Sequence, residues 1–264
     1  MRLPTVLIAA AAAAGAGLAL AQTPAPPPIQ GYLTPQTAPA ITRIIPPPPA
    51  EGSPRQKQDL DIFLATRQMQ GSSRWQLATD DVSYTIPYLL HAFSCAAGVG
   101  LTPENAPKTA LLVRRVLRDS SITSNAAKDI FRRKRPYLYV EGPICVAKTA
   151  DLAANMDYPS GHSTLSWATG LVLSELMPDR STALLSRARG YGESRIVCGV
   201  HSMSAVEAGR TTAAATVAAE HGSAEFRADI EAVRAELAAL RASGPRPDGD
   251  QCLVEATLTA RPPY

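Results

Sequence analysis

Apolar residues in the middle and C-terminal parts of the chain recur at helical intervals. Phe226, Ile230, Val233, Leu237 and Leu240 fall at +4, +7, +11 and +14, one face of an amphipathic helix that closes at Gly244. Leu165, Ala168, Leu171, Val172 and Leu176 mark a second apolar face, on a helix that opens at His162 and stops near Pro178. Helical patterns also cover 180–191 and 205–221. Upstream, Thr102, Pro103 and Glu104 read as N-cap, first-position proline and first-turn acid of a helix running through Leu111, Leu112, Val116 and Leu117. A further helix is expected over 121–134, ending ahead of Pro136 because the residue before a proline is pushed out of the α region. The only β-like piece is 137–140, so the pattern predicts an all-α, single-domain helical bundle.

Three stretches stand apart from this domain, which is expected over 52–242. Residues 1–21 carry one charge, on Arg2, then an apolar run that ends in Ala19-Leu20-Ala21, which reads as a secretory signal peptide cleaved ahead of Gln22. Residues 22–51 contain "TPAPPP" and "IIPPPP" and are expected to form an N-terminal arm, extended on the surface. Residues 243–264, rich in Gly, Pro and Asp, are expected to form a peripheral tail. No later segment has the ~20 consecutive apolar residues of a membrane span, so a periplasmic location is expected, with no membrane association once the signal is gone.

Composition narrows the partners. The formal net charge of +3 falls to +2 with the loss of Arg2, which disfavours a dedicated nucleic-acid or membrane-surface binder. Cys95, Cys145, Cys198 and Cys252 have no zinc-binding spacing and belong to a chain sent to an oxidising compartment, so one or two disulfides are expected. Sequence leaves all three pairings open.

The candidate chemistry lies in three separated pieces. Lys128 and Arg135 are seven residues apart, about two turns on nearly one helix face, where both can reach one anion; taken alone, "KDIFRRKRP" is an ordinary solvated basic face. In "YPSGHST", Ser160 stands where an N-cap belongs and Gly161 lets backbone approach a ligand. The free amides of the first turn, with the helix dipole, form an anion site beside His162. In "SRIVCGVH", Arg195 precedes His201 by six residues: a guanidinium that can fork onto phosphate oxygens, and an imidazole that can attack phosphorus.

In order, Lys128-x6-Arg135-Pro136, then Pro159-Ser160-Gly161-His162, then Ser194-Arg195-x5-His201 resemble the three-part signature of the phosphatidic acid phosphatase type 2 and vanadium haloperoxidase superfamily. "LTPENAPK", "RGYGESRIVCGVH" and "VEAGR" extend the likeness, which is strongest to the bacterial class A non-specific acid phosphatases. The resemblance implies an exported, all-helical enzyme, often dimeric, that hydrolyses small phosphate monoesters without metal or cofactor and is sensitive to vanadate. It implies His201 as the nucleophile and His162 as the general acid. Lys128, Arg135, Ser160, Gly161 and Arg195 would hold the phosphate oxygens.

One departure matters for chemistry. The resemblance places an aspartate four residues beyond the nucleophilic histidine, to hold its far ring nitrogen, and here that position is Ala205. Ser202 and Met203 stand where "HWQSD" would have tryptophan and glutamine. Glu207 is turned away by its helical phase, which leaves water or a backbone carbonyl to hold the ring. Weakened turnover is therefore expected, and the alternative is an inactive homologue that only binds phosphate or phosphorylated ligands. A vanadate-dependent peroxidase and a membrane lipid phosphatase fit the length and the missing spans less well. His91 and His221 match no part of the signature and are expected to be structural or exposed. Bridges from Cys95 to Cys198 and from Cys145 to Cys252 would brace the site walls, and that pairing is the expectation.

Overall fold

A computed structural model describes residues 29–264; the expected signal segment and residues 22–28 of the expected arm lie outside the described residues. Ten α-helices and no strand occur among the described residues: α1 (Pro54–Arg67), α2 (Ser73–Asp80), α3 (Ile86–Ala97), α4 (Pro107–Phe131), α5 (Ala150–Ala154), α6 (Gly161–Leu176), α7 (Ser181–Val197), α8 (Met203–Glu220), α9 (Ala224–Ser243) and α10 (Gly249–Thr259). None is long and apolar enough to cross a membrane. The all-α expectation holds.

Helix α6 runs through the centre, packed against α4, α7 and α8. Its apolar face brings Leu165, Val172 and Leu173 against Val113 and Val116 of α4, Leu184 and Tyr191 of α7, and Ala213 of α8. The predicted face of α9 closes one side of this core through Phe226, Ile230, Val233 and Leu237. Glycine sets the closest helix approach. A Cβ at Gly209 of α8 would stand 2.7 Å from the Ser160 carbonyl oxygen and 2.9 Å from Ser163 Cβ, so only glycine lets α8 lie this near the start of α6.

Several local expectations need correction. The two helices expected around 102–117 and 121–134 are the single helix α4, whose buried face continues without a break through Val116, Ser120, Thr123 and Ala127. Thr102 does not cap it. Its hydroxyl accepts from the Asn105 amide at 3.3 Å in a local turn, and Pro107 takes the first helical position. The orphan amides of Lys108 and Thr109 donate to Glu236 of α9 at 2.9 and 2.8 Å. α4 ends at Arg132, in the left-handed region at φ 48°, so Arg135 lies beyond the helix that carries Lys128. The stretch 137–140 is a short 3-10 turn and loop.

The cysteines pair as Cys95–Cys252 and Cys145–Cys198, opposite to the expectation. The Cys145 amide also donates to the Cys198 carbonyl at 3.0 Å, so that bridge clamps the loop after the Lys-Arg segment onto the end of α7. The other bridge ties α10 to α3, and the C-terminal segment is thus a docked helix. The described part of the Pro-rich arm, residues 29–51, is anchored as well. Tyr32, Ile41 and Ile45 are buried, and the Tyr158 hydroxyl donates to the Pro46 carbonyl at 2.8 Å.

Candidate functional site

The three sequence pieces meet at one cavity of about 790 Å³, whose wall includes Lys128, Arg135, Gly161, His162, Arg195 and His201. Lys128 comes from the last turn of α4 and Arg135 from the extended chain after it. Although they share no helix, both converge on Asn155, Lys128 Nζ donating to its Oδ1 at 2.7 Å and Arg135 Nη2 at 3.0 Å. Asn155 was not singled out in the sequence, where nothing in its spacing marks it as the post that gathers these cations. Arg195 is buried at the end of α7, and its Nε and Nη1 have no hydrogen-bond partner among the described residues. Buried N–H donors of this kind are costly unless something accepts from them.

Burial depresses all three cations because it disfavours the charged form, and Arg135 lowers Lys128 and Arg195 further. Lys128 is lowered to about 7 by burial and then by Arg135. Arg195 is lowered to about 10, and Arg135 is also lowered, burial being the main cause in both. An anion in the cavity would relieve this mutual repulsion.

At the mouth of α6, Ser160 is the N-cap as expected, its Oγ accepting from the Ser163 amide at 3.3 Å. Ser160 is fully buried behind the cavity wall, and its own amide donates to the Ala205 carbonyl at 2.9 Å. Gly161 lies on the wall itself. A Cβ there would meet only Ser124 Oγ, at 3.9 Å, among the described residues, so none of them requires glycine and the open space faces the cavity. The first-turn amides of Gly161 and His162 lack intrahelical partners by their position.

The two histidines are held in defined orientations. His201 Nδ1 lies 2.7 Å from the Asp157 carbonyl oxygen and 2.9 Å from Asp157 Oδ1, while Nε2 lies 3.0 Å from Arg135 Nη1. Both neighbours of Nδ1 are acceptors and the neighbour of Nε2 can only donate, so Nδ1 carries the proton and Nε2 presents a lone pair. His162 Nε2 donates to the Val82 carbonyl at 3.0 Å, and Tyr84 stacks edge-on against the ring at 5.2 Å, leaving Nδ1 without a partner among the described residues. Burial lowers both histidines well below the usual imidazole range, helped by Arg195 at His162 and by Arg135 at His201.

Asp157, which the sequence reading passed over, is fully buried beneath His201. Its Oδ2 accepts from Ser202 Oγ at 2.6 Å, its Oδ1 accepts from the Ser202 amide at 3.1 Å, and Arg133 Nη1 lies 3.6 Å from Oδ2. Arg133 also donates to Ser202, Ser204 and Asp59, and Asp59 accepts from the Ser204 amide at the start of α8. Ala205 packs among Ile41, Ile45, Ala127 and Tyr158. Glu207 does point elsewhere, pairing with Arg55. His91 and His221 lie outside the cavity wall; His221 pairs with Glu175 at 3.1 Å.

A cavity with three converging buried cations, unpaired arginine N–H donors, a helix mouth and an oriented imidazole lone pair is a site for a small tetrahedral oxyanion. The PAP2 superfamily pattern matches residues 110–227, which carry every one of these groups. An acid phosphatase of Zymomonas mobilis is 42% identical over 210 residues, 79% of this chain and 80% of that protein. Non-specific acid phosphatases of Providencia stuartii and Salmonella typhimurium are 32% and 29% identical, over 75% and 79% of this chain and 81% and 84% of theirs. The chain belongs to the PAP2 superfamily, in the company of acid phosphatases.

Proposed function

We propose that this protein is an acid phosphatase that hydrolyses small phosphate monoesters through a phosphohistidine at His201. The observation that carries the reading is the Nε2 lone pair of His201, fixed toward Arg135 in a cavity where Lys128, Arg135 and Arg195 converge. Lys128, Arg135 and Arg195, with the amides at Gly161, would hold the non-bridging oxygens, where charge is stabilised in a loose phosphoryl-transfer transition state. Ser160 would act by capping and positioning that helix mouth.

In the first step the bound phosphate oxygens take over the Arg135 N–H from His201 Nε2, and the freed Nε2 lone pair forms a bond to phosphorus as the ester P–O bond breaks. The electron pair of that bond goes to the ester oxygen, which takes a proton from His162 Nδ1 and leaves as the alcohol. In the second, water gives a proton to His162 and attacks phosphorus, and the N–P electron pair returns to Nε2 with release of phosphate. His162 must be protonated for the first step although its surroundings favour the neutral ring. A bound phosphate dianion counters the arginine charges that depress it, which fits activity on the acid side.

The two disulfides support export to an oxidising compartment, and the periplasm is the location proposed. Release of p-nitrophenol from p-nitrophenyl phosphate, measured from acidic to neutral pH beside His201→Ala, tests the reading. Turnover by the natural chain and none by the variant is expected. A folded natural chain that binds phosphate without turnover would instead make it a phosphate-binding homologue.

A further inference from the structure

We infer that Asp157 is the positioning residue of this site: its carboxylate holds His201 Nδ1–H, fixes the reactive tautomer and offsets the positive charge that forms on the ring. The inference rests on the proposed phosphohistidine reading and adds to it the group that makes His201 competent in a chain lacking a carboxylate at 205.

Geometry carries it. Every donor around the Asp157 side chain points inward: His201 Nδ1 at 2.9 Å, the Ser202 amide at 3.1 Å and Ser202 Oγ at 2.6 Å, with Arg133 behind at 3.6 Å. A carboxylate can satisfy all of these at once, whereas a carboxamide would turn N–H groups toward one of them. The Asp157 carboxyl is raised, burial being the main cause, and Arg133 and the Ser202 donors oppose that rise. Arg133 is fixed independently by Asp59 at 2.8 Å, so the counter-charge does not depend on Asp157 for its place.

The neighbours of Asp157 fit the same assignment. Ser202 supplies the hydroxyl that a tryptophan could not, in a position only 1% exposed. Ala205, fully buried, lies in an apolar cluster with Ile41, Ile45 and Tyr158, where a second carboxylate would have to be desolvated. The changes at 202 and 205 therefore belong with Asp157 as one rearrangement, and the loss of turnover expected from Ala205 alone does not follow. In charge and contact, the carboxylate reaches the same ring nitrogen from the segment that leads into α6.

The competing view is that the Asp157 backbone carbonyl, 2.7 Å from Nδ1, holds the ring by itself. Asp157→Asn separates the two, since it keeps the carbonyl and the side-chain volume. Expected are a fall in kcat of roughly 10²- to 10⁴-fold on p-nitrophenyl phosphate, the upper end being that of a serine-protease triad losing its aspartate, and binding of inorganic phosphate within about threefold of the natural chain. The His201 Nδ1–H proton resonance, read by nuclear magnetic resonance without substrate, should move upfield. A kcat within about threefold of the natural chain, or an unmoved ring resonance, would overturn the inference. So would parallel losses of kcat, phosphate binding and melting temperature, which mark a structural role. Absent turnover in the natural chain would count against the phosphatase reading alone, because the ring resonance still reports on Asp157.

Discussion

Gly161→Ala should make the protein no less stable and a poorer binder of phosphate, two effects of opposite sign from one methyl group. Gly161 has no positive φ, and the added Cβ would touch only Ser124 Oγ at 3.9 Å, so the fold meets no clash. Replacing glycine by alanine at a compatible backbone position gains about 0.4–1 kcal/mol through the unfolded chain. The same methyl projects into the cavity where the helix mouth would meet a phosphate oxygen. A charge-assisted hydrogen bond lost there is worth about 1.5–3 kcal/mol, which is about 10- to 150-fold in affinity. Thermal unfolding gives the first quantity, and its shift with added phosphate gives the second by mass action. If Gly161→Ala bound inorganic phosphate as the natural chain does, the helix mouth would not be the oxyanion cradle. A large loss of stability without phosphate would show instead that the glycine serves packing.

Further outcomes follow from the disulfides, from His201 and from Ala205. The Cys95–Cys252 and Cys145–Cys198 bridges span 157 and 53 residues, so loop-closure entropy assigns them about 5 and 4 kcal/mol of stability. Cys145→Ala with Cys198→Ala should lower kcat as well, because Cys198 lies between Arg195 and His201, whereas removing the other pair should leave kcat within about twofold; denaturant titration and p-nitrophenyl phosphate kinetics decide, and an unchanged kcat in the first double variant would contradict the clamp. His201 is depressed in the folded state, so the unfolded chain takes up a proton first as pH falls and folded stability is lost below about pH 6.5. From pH 7.5 to 5.5, unliganded His201→Gln should gain up to about 1.4 kcal/mol relative to the natural chain, and a difference that stays flat would refute the shift. Ala205→Asp, expected from resemblance alone to raise turnover, should instead cost at least about 2 kcal/mol by overpacking and by burying a charge beside Asp157, without raising kcat; a gain in kcat would restore the earlier expectation.

Much of this site could be read from sequence because its parts are local. Ser160 as N-cap, Gly161 at the helix mouth and the apolar face of α6 all follow from neighbours a few residues apart, as does the face of α9. Spacing also found Lys128, Arg135, Arg195 and His201, yet it put the first two on one helix when α4 ends between them at Arg132, whose left-handed conformation periodicity does not report. Features made by distant segments were not legible. Asp157 and His201 are 44 residues apart, Glu236 caps α4 from α9, and the paired cysteines are 157 and 53 residues apart. Asp157 did carry one available signal: a carboxylate two residues ahead of Pro159, in a chain whose Ala205 left a histidine without a partner.

The claim that His201 is the nucleophile is tested most directly by trapping the intermediate. The natural chain would be mixed with a rapidly hydrolysed phosphate monoester, quenched in alkali because the N–P bond is acid-labile, digested and analysed by mass spectrometry. A phosphoryl group on the peptide holding His201, on its Nε2 and absent from His201→Ala, is the result predicted. Sustained turnover by the natural chain with no phosphoryl group on that peptide, or with the group on another residue, would contradict the account.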